Sequence, residues 1–356
     1  ASAAPTVIAI AEQTKATGAD VLGAYIVAVE AASRIAAAAR GGFHKVGFHP
    51  TGLVGIFGCV LGAGRMFGLT TDQLTSAQGI ALSMAGGSME FLEEGAWTKR
   101  MHPGWAGASA ISAAVMARHD FLGPSTAYEG RFGLFASHTD PRDAAPDFET
   151  IWRDLGESWE LERVAVKPFP ACHFVHGCAD AALALVRDHG LKADEVEAVK
   201  ALMPEATIPT VCEPVANKIR PVSDYDAKFS VQYTVAASIE RGRFGLAELE
   251  DEARTDPRIL ELAAKVSYEP DPDSTFPAAY SGELVVQTTD GRELRHREAV
   301  NRGAESRPLT NGEISAKFEE NASLVLSGEG VTRLREAVLS LDERSDVNEL
   351  TEALRG

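Results

Sequence analysis

Residues 52–67 read Gly52-Leu53-Val54-Gly55-Ile56-Phe57-Gly58-Cys59-Val60-Leu61-Gly62-Ala63-Gly64-Arg65-Met66-Phe67. Gly52, Gly55, Gly58 and Gly62 recur at the spacing that places residues on one face of a helix. Glycine lowers helix propensity by about 1 kcal/mol relative to alanine, so this stretch predicts a helix held by close packing in a helical core. The flanks agree. Residues 6–39 read as two helices, with Val7, Ile8, Ile10 and Ala11 on the first apolar face and Leu22, Tyr25, Val29, Ala32 and Ile35 on the second. Gly18-Ala19-Asp20 separates them, with Asp20 expected as N-cap. Thr70 and Gln73 form a capping box that opens a helix to about Met84, which Gly86-Gly87-Ser88 breaks. An Ala-rich helix is expected from Gly104 to His119, ended by Gly123-Pro124. Up to about residue 160 no strand pattern occurs.

The pattern changes at Lys167-Pro168-Phe169-Pro170. Beyond it, residues 195–202 alternate as a strand does. Residues 283–288 and 293–296 do the same around Asp290-Gly291, a hairpin signal. Helical stretches fall at 171–187 and 228–240, and amphipathic helix returns from Thr310. The predicted fold is mostly α, an all-helical domain (1–165 and 308–356) with an inserted, smaller α+β lid domain (166–307).

Composition narrows the class. The chain has 356 residues, 34 Lys+Arg against 51 Asp+Glu, and a formal net charge of −17. That balance argues against nucleic acid or an anionic membrane as partner, since both require basic surface. Cys59, Cys172, Cys178 and Cys212 show no CxxC spacing and read as reduced thiols. The apolar run Gly52–Ala63 is shorter than the roughly 20 residues a spanning helix needs, and no basic-then-apolar leader opens the chain. A cytoplasmic, soluble protein is expected.

Two segments carry the chemistry. Phe48-His49-Pro50 and Trp97-Thr98-Lys99-Arg100-Met101-His102-Pro103 each set a histidine beside a proline at the edge of an apolar helix, and the second adds adjacent cations. Placed just before a helix starting near Gly104, Lys99, Arg100 and His102 would favour an anion, because a helix N-terminus carries partial positive charge. A solvated basic turn is the plainer alternative for that run. Cys172-His173-x-x-His176-x-Cys178 has no zinc spacing, so a buried, hydrogen-bonded histidine is the default and proton transfer by His176 the second reading. Three suitably presented thiolates for an iron–sulfur cluster are lacking. Dinucleotide, P-loop and Gly-x-Ser-x-Gly motifs are absent.

Gly47–Gly52, Thr98–Gly104, Lys167–Pro170 and Phe229–Tyr233 occur in an order that resembles the MmgE/PrpD family, which contains 2-methylcitrate dehydratases, cis-aconitate decarboxylases and iminodisuccinate epimerases. The run Leu309-Thr310-x-x-Glu313-Ile314-x-x-Lys317-Phe318 resembles the segment where that family returns to its helical domain. The resemblance implies a homodimer with a cofactor-independent, metal-free site between the two domains. It places His49, Lys99, Lys167 and Tyr233 there as catalytic residues; Arg100, His102 and His176 are the substrate-binding candidates from the residue reading above. Family members carry further N-terminal helices that line the same pocket, and Ala1 is expected to begin just past them. The shared chemistry is bond-breaking at a carbon next to a carboxylate, whose developing charge requires cations and hydrogen-bond donors. On this reading Lys99 and Lys167 clamp carboxylates while His49 and Tyr233 exchange protons, or a lysine acts as base. The leading expectation is a 2-methylcitrate dehydratase-like lyase. The alternatives are an iminodisuccinate-type epimerase, a cis-aconitate-type decarboxylase, and a non-catalytic carboxylate-binding dimer.

Overall fold

The computed structural model describes residues 1–355. Contacts divide the chain into two units, one of residues 1–163 and 322 onward, the other of residues 164–321. In chain order the principal elements are α1 (Ala3–Thr14), α2 (Gly18–Ala38), α3 (Pro50–Phe67), α4 (Thr71–Leu82), α5 (Thr98–Arg118), α6 (His176–His189), β1 (Val196–Met203), α7 (Val231–Arg241), α8 (Pro257–Ala263), β2 (Val266–Pro270), β3 (Gly282–Thr288), β4 (Glu293–Glu298), α9 (Asn311–Ala322), α10 (Gly328–Leu339) and α11 (Asn348–Ala353). The molecule is mostly helical, with one small mixed sheet confined to the second unit.

The glycine-rich helix α3 is the hub of the first unit, and α1, α2, α4 and α5 all pack on it. Leu53, Ile56, Phe57, Val60 and Ala63 are fully buried along it. The glycines act by admitting a neighbouring backbone: a Cβ on Gly58 would lie 2.2 Å from the Ala28 carbonyl oxygen of α2. α10 and α11 bring the end of the chain back to this unit, where the Arg344 carbonyl accepts from the Gly18 N–H at 2.9 Å.

Three local expectations are corrected. The N-cap of α2 is Thr17, not Asp20; Asp20 is the third helical residue and completes a reciprocal capping box with it. α5 begins at Thr98 rather than Gly104, so Lys99, Arg100 and His102 lie within its first turns. Pro103 lies inside the helix, where it has no N–H to give the Lys99 carbonyl. Finally, α2 and α3 are each long and apolar enough to cross a membrane, contrary to the reading of a short apolar run; 67% of the α3 window is buried inside the protein.

In the second unit the sheet order is β2-β1-β3-β4, with β1–β2 parallel and the other pairs antiparallel. The Asp290-Gly291 turn joins β3 to β4 as its sequence predicts, Gly291 adopting φ 87°. β2 has no counterpart in the sequence reading. It is a short, largely exposed strand that follows α8 directly and leaves little alternation to detect. α6 packs on β3 and β4, and α7 lies against α6 and α8.

Candidate active site

In the first unit, residues 47–49 run antiparallel to 87–89. The His49 N–H donates to the Gly87 carbonyl at 2.8 Å, and the Met89 N–H to the Gly47 carbonyl at 2.9 Å. His49 is the N-cap of α3, with Pro50 as first helical residue, yet its side chain does not cap the helix. The imidazole turns instead to His102, and the two Nδ1 atoms are 3.1 Å apart. At that distance one Nδ1 carries hydrogen and the other offers its lone pair.

His102 is only 6% exposed. Its ring occupies space that two glycines leave free: a Cβ on Gly52 would lie 2.9 Å from the His102 Cβ, and one on Gly87 would lie 3.3 Å from its Nδ1. Gly87 has φ +132°, so its backbone also favours glycine. Phe91, buried, presents its ring edge-on to both imidazoles at 6.4 and 6.1 Å. The Lys99 ammonium lies 5.3 Å from the centre of the same ring. Burial first, then the Lys99 charge, lowers the His102 pKa, so this ring is held neutral. Arg100 points to the exposed surface and stacks on Trp97 at 5.0 Å.

The second unit holds another cluster. The Lys167 ammonium donates to the Ala171 carbonyl at 3.0 Å, and the Lys317 ammonium on α9 to the Lys167 carbonyl at 2.6 Å. His173 and His176 lie 4.9 Å apart between ring centres. The Asn301 amide oxygen accepts from the Tyr280 N–H, so its nitrogen faces His173 Nε2 at 2.8 Å. Nε2 is therefore a bare lone pair and the His173 proton sits on Nδ1. Burial and then the Lys167 charge lower the His173 pKa to about 4. His176 is fully buried, and burial, His173 and Lys167 push its pKa well below the usual histidine value. Among the described residues no group of three or more His, Cys, Asp or Glu side chains converges as a metal site would require.

The structure thus brings His49, Lys99 and His102 together in one unit, and Lys167 and His176 together in the other. Tyr233 joins neither group. It is fully buried, and its hydroxyl donates to the Glu248 carbonyl at 2.5 Å. Sequence reasoning missed Phe91, Gly52 and Gly87 as builders of the histidine pair, and His173, Asn301 and Lys317 beside Lys167. Gly86-Gly87-Ser88 reads as a mere helix break until its pairing with residues 47–49 is seen. A separate cavity of about 880 Å³ in the first unit, walled by Val27, Leu61, Phe148, Trp152 and Trp159, holds none of these groups. Of the three charged residues on its wall, Glu30, Arg34 and Glu129, the first two are paired with each other at 2.6 Å.

Residues 1–147 match the MmgE/PrpD N-terminal domain and residues 169–343 the MmgE/PrpD C-terminal domain. The chain is 30% identical to cis-aconitate decarboxylase of Homo sapiens, over 99% of this chain and 73% of that protein. It is 26% identical to cis-aconitate decarboxylase of Aspergillus terreus (97% and 72%) and 28% identical to 2-methylcitrate dehydratase of Salmonella typhi (86% and 65%). By these names the relatives are carboxylate lyases acting on tricarboxylates. Both domain matches and an alignment along nearly the whole chain agree, and the chain belongs to the MmgE/PrpD family.

Proposed function

We propose that this chain carries the machinery of a tricarboxylate lyase, with decarboxylation of a cis-aconitate-like substrate as its reaction. The observation that carries the reading is the Nδ1–Nδ1 contact of His49 and His102 at 3.1 Å beside Lys99. The sequence reading led with dehydration of 2-methylcitrate. Its decarboxylase alternative has the better support, because the human decarboxylase is 30% identical over 99% of this chain, against 28% over 86% for the dehydratase.

In such a decarboxylation the bond to the departing carboxylate breaks as carbon dioxide. Its electron pair moves through the alkene to a carbon next to another carboxylate, and a proton must be delivered there. Neutral His102 accepts from the His49 Nδ1–H, which leaves His49 Nε2 as the proton-transferring atom. With a proton on Nε2, His49 is the acid a decarboxylation requires; bare, it is the base a dehydration requires. Lys99 stabilises the charge that develops on the carboxylate in either direction. Lys167 and His176 are assigned to substrate binding. Arg100 supplies a further cation at the surface. Tyr233, whose hydroxyl is committed to Glu248, is given no proton-transfer step.

The test is proton NMR of cis-aconitate and of 2-methylcitrate with the protein in deuterated water. The expected result is carbon dioxide release from cis-aconitate, with one deuterium at the carbon beside a remaining carboxylate. A new alkene formed from 2-methylcitrate alone would make the protein a dehydratase. Absence of exchange, product and gas with both compounds would overturn the lyase reading.

A further inference from the structure

The second unit gathers cations where no carboxylate answers them. The ammonium groups of Lys167 and Lys317 both donate only to backbone carbonyls, of Ala171 and Lys167 respectively. Among the described residues neither takes part in a salt bridge, whereas Arg302, 5.5 Å from the Phe169 ring, is matched by Asp180 at 3.1 Å and Glu313 at 2.9 Å. His176 Nε2 faces the same Ala171 carbonyl to which Lys167 donates, Lys317 donates to the Lys167 carbonyl, and His173 stands 4.9 Å from His176 between ring centres, so the four groups form one cluster. Burial and then the Lys167 charge lower the Lys317 pKa.

A second observation points to a ligand. His176 is fully buried; its Nε2 lies 3.4 Å from the Ala171 carbonyl, while its Nδ1 has no hydrogen-bond partner. With the Nε2 hydrogen directed at that carbonyl, Nδ1 is a bare acceptor facing no donor. Unpaired buried acceptors are uncommon in native proteins and ask for an explanation. Bringing two ammonium groups together costs free energy unless an anion sits with them.

We propose that Lys317 is a carboxylate-binding residue: with Lys167 it forms a paired-ammonium site for one carboxylate group of the tricarboxylate substrate. A water held by that carboxylate supplies the donor His176 Nδ1 lacks. The proposal rests on the tricarboxylate reading above and adds a residue to which that reading gives no role. A purely structural lysine would need only its hydrogen bond to the Lys167 carbonyl. A substrate-binding one needs its charge.

The experiment uses citrate as a non-reacting tricarboxylate probe with the full chain, by calorimetry, and steady-state kinetics beside it. Lys317→Gln keeps a donor for the Lys167 carbonyl and removes the charge. It is expected to weaken citrate binding about tenfold or more, as loss of a charge-assisted hydrogen bond does, and to raise KM similarly with kcat changed less than about twofold. Lys317→Arg should recover most of the affinity. Citrate binding by Lys317→Gln equal to wild type, or no binding by the wild type, overturns the proposal. If Lys317→Gln does not fold, the wild-type protein with 13C-methylated lysines decides. Citrate should move the Lys317 resonance, identified from the Lys317→Arg spectrum, and an unmoved resonance overturns it. A wild type that binds citrate through Lys317 but turns over no tricarboxylate would sink the lyase reading alone.

Discussion

His49 and His102, 53 positions apart in the chain, meet at Nδ1 across 3.1 Å because one immediately precedes α3 and the other lies in the first turns of α5. Two cationic rings cannot sit so close beside Lys99, so the pair takes up a single further proton, at His49 Nε2, while one hydrogen stays between the facing nitrogens. Nitrogen-15 NMR of labelled histidines should show both Nδ1 signals changing in one common step on acidification. His102→Phe should leave His49 titrating alone and reduce turnover of tricarboxylate about 100-fold or more, the usual contribution of a positioned acid–base group. Two independent titrations in the wild type would remove the shared proton from the mechanism.

Lys99 acts on this pair through its charge. It is the second cause, after burial, of the lowered His102 pKa. Lys99→Met removes a positive neighbour and makes protonation of His102 easier, so its titration should move to higher pH. Because burial remains, the move should be partial and should not restore the ordinary histidine value. The His102 ring-proton shift followed against pH measures it. An unchanged midpoint would mean that the Lys99 ammonium does not reach His102 in solution.

Much of this was legible in the sequence, and the rest was not for physical reasons. The glycine period of 52–62 announced a tightly packed helix, since only close backbone approach offsets its propensity cost. The Thr70–Gln73 capping box and the Asp290-Gly291 hairpin are short-range signals and stand where they were expected. The start of α5 was misplaced because Pro103-Gly104 looks like a boundary, whereas the helix runs through both residues. The individual site histidines were visible, but their pairing was not. It depends on Gly52 and Gly87 leaving room for a ring that arrives from a third segment, and no local pattern records such a coincidence. Tyr233 was drawn to the site by motif resemblance, and only the structure reveals where its hydroxyl is spent.

The two kinds of glycine in α3 should separate in their effects. A Cβ on Gly58 meets the Ala28 carbonyl at 2.2 Å, whereas one on Gly52 meets the His102 Cβ at 2.9 Å and the Gly86 carbonyl at 3.0 Å. Gly58→Ala should therefore lower stability, by about 1–3 kcal/mol as overpacking typically does, while the folded fraction keeps its turnover number. Gly52→Ala should displace the His102 ring and cut turnover even in fully folded protein. Urea unfolding and kcat measured on the same preparations distinguish the two, and equal loss of kcat in both variants would contradict the assignment of Gly52 to the histidine pair.

Acid should weaken the fold before the arginine-paired carboxylates of Asp271 and Glu283 titrate. His173 has its pKa lowered to about 4, and His176 is lowered well below its ordinary value. An unfolded chain returns both to about 6.5, so between the folded and unfolded values the unfolded state binds more protons. The stability these rings contribute is therefore complete above about pH 6.5 and is lost as pH falls below it; the His173 share stops falling near pH 4. Each fully buried histidine contributes at most about 1.4 kcal/mol per pH unit, and His173 less, because it is part-exposed and screened by solvent. His44, His102 and His138, also lowered by burial, act in the same direction. The carboxylates of Asp271 and Glu283, held low through Arg297 and Arg295 despite their burial, add their losses only at more acidic pH. Urea midpoints should therefore hold between pH 7.5 and about 6.5 and fall from there to pH 5, and His173→Gln, which can still accept from Asn301, should fall less steeply than wild type over the lower interval. Parallel slopes for the two proteins would show that His173 does not enter the folded state neutral.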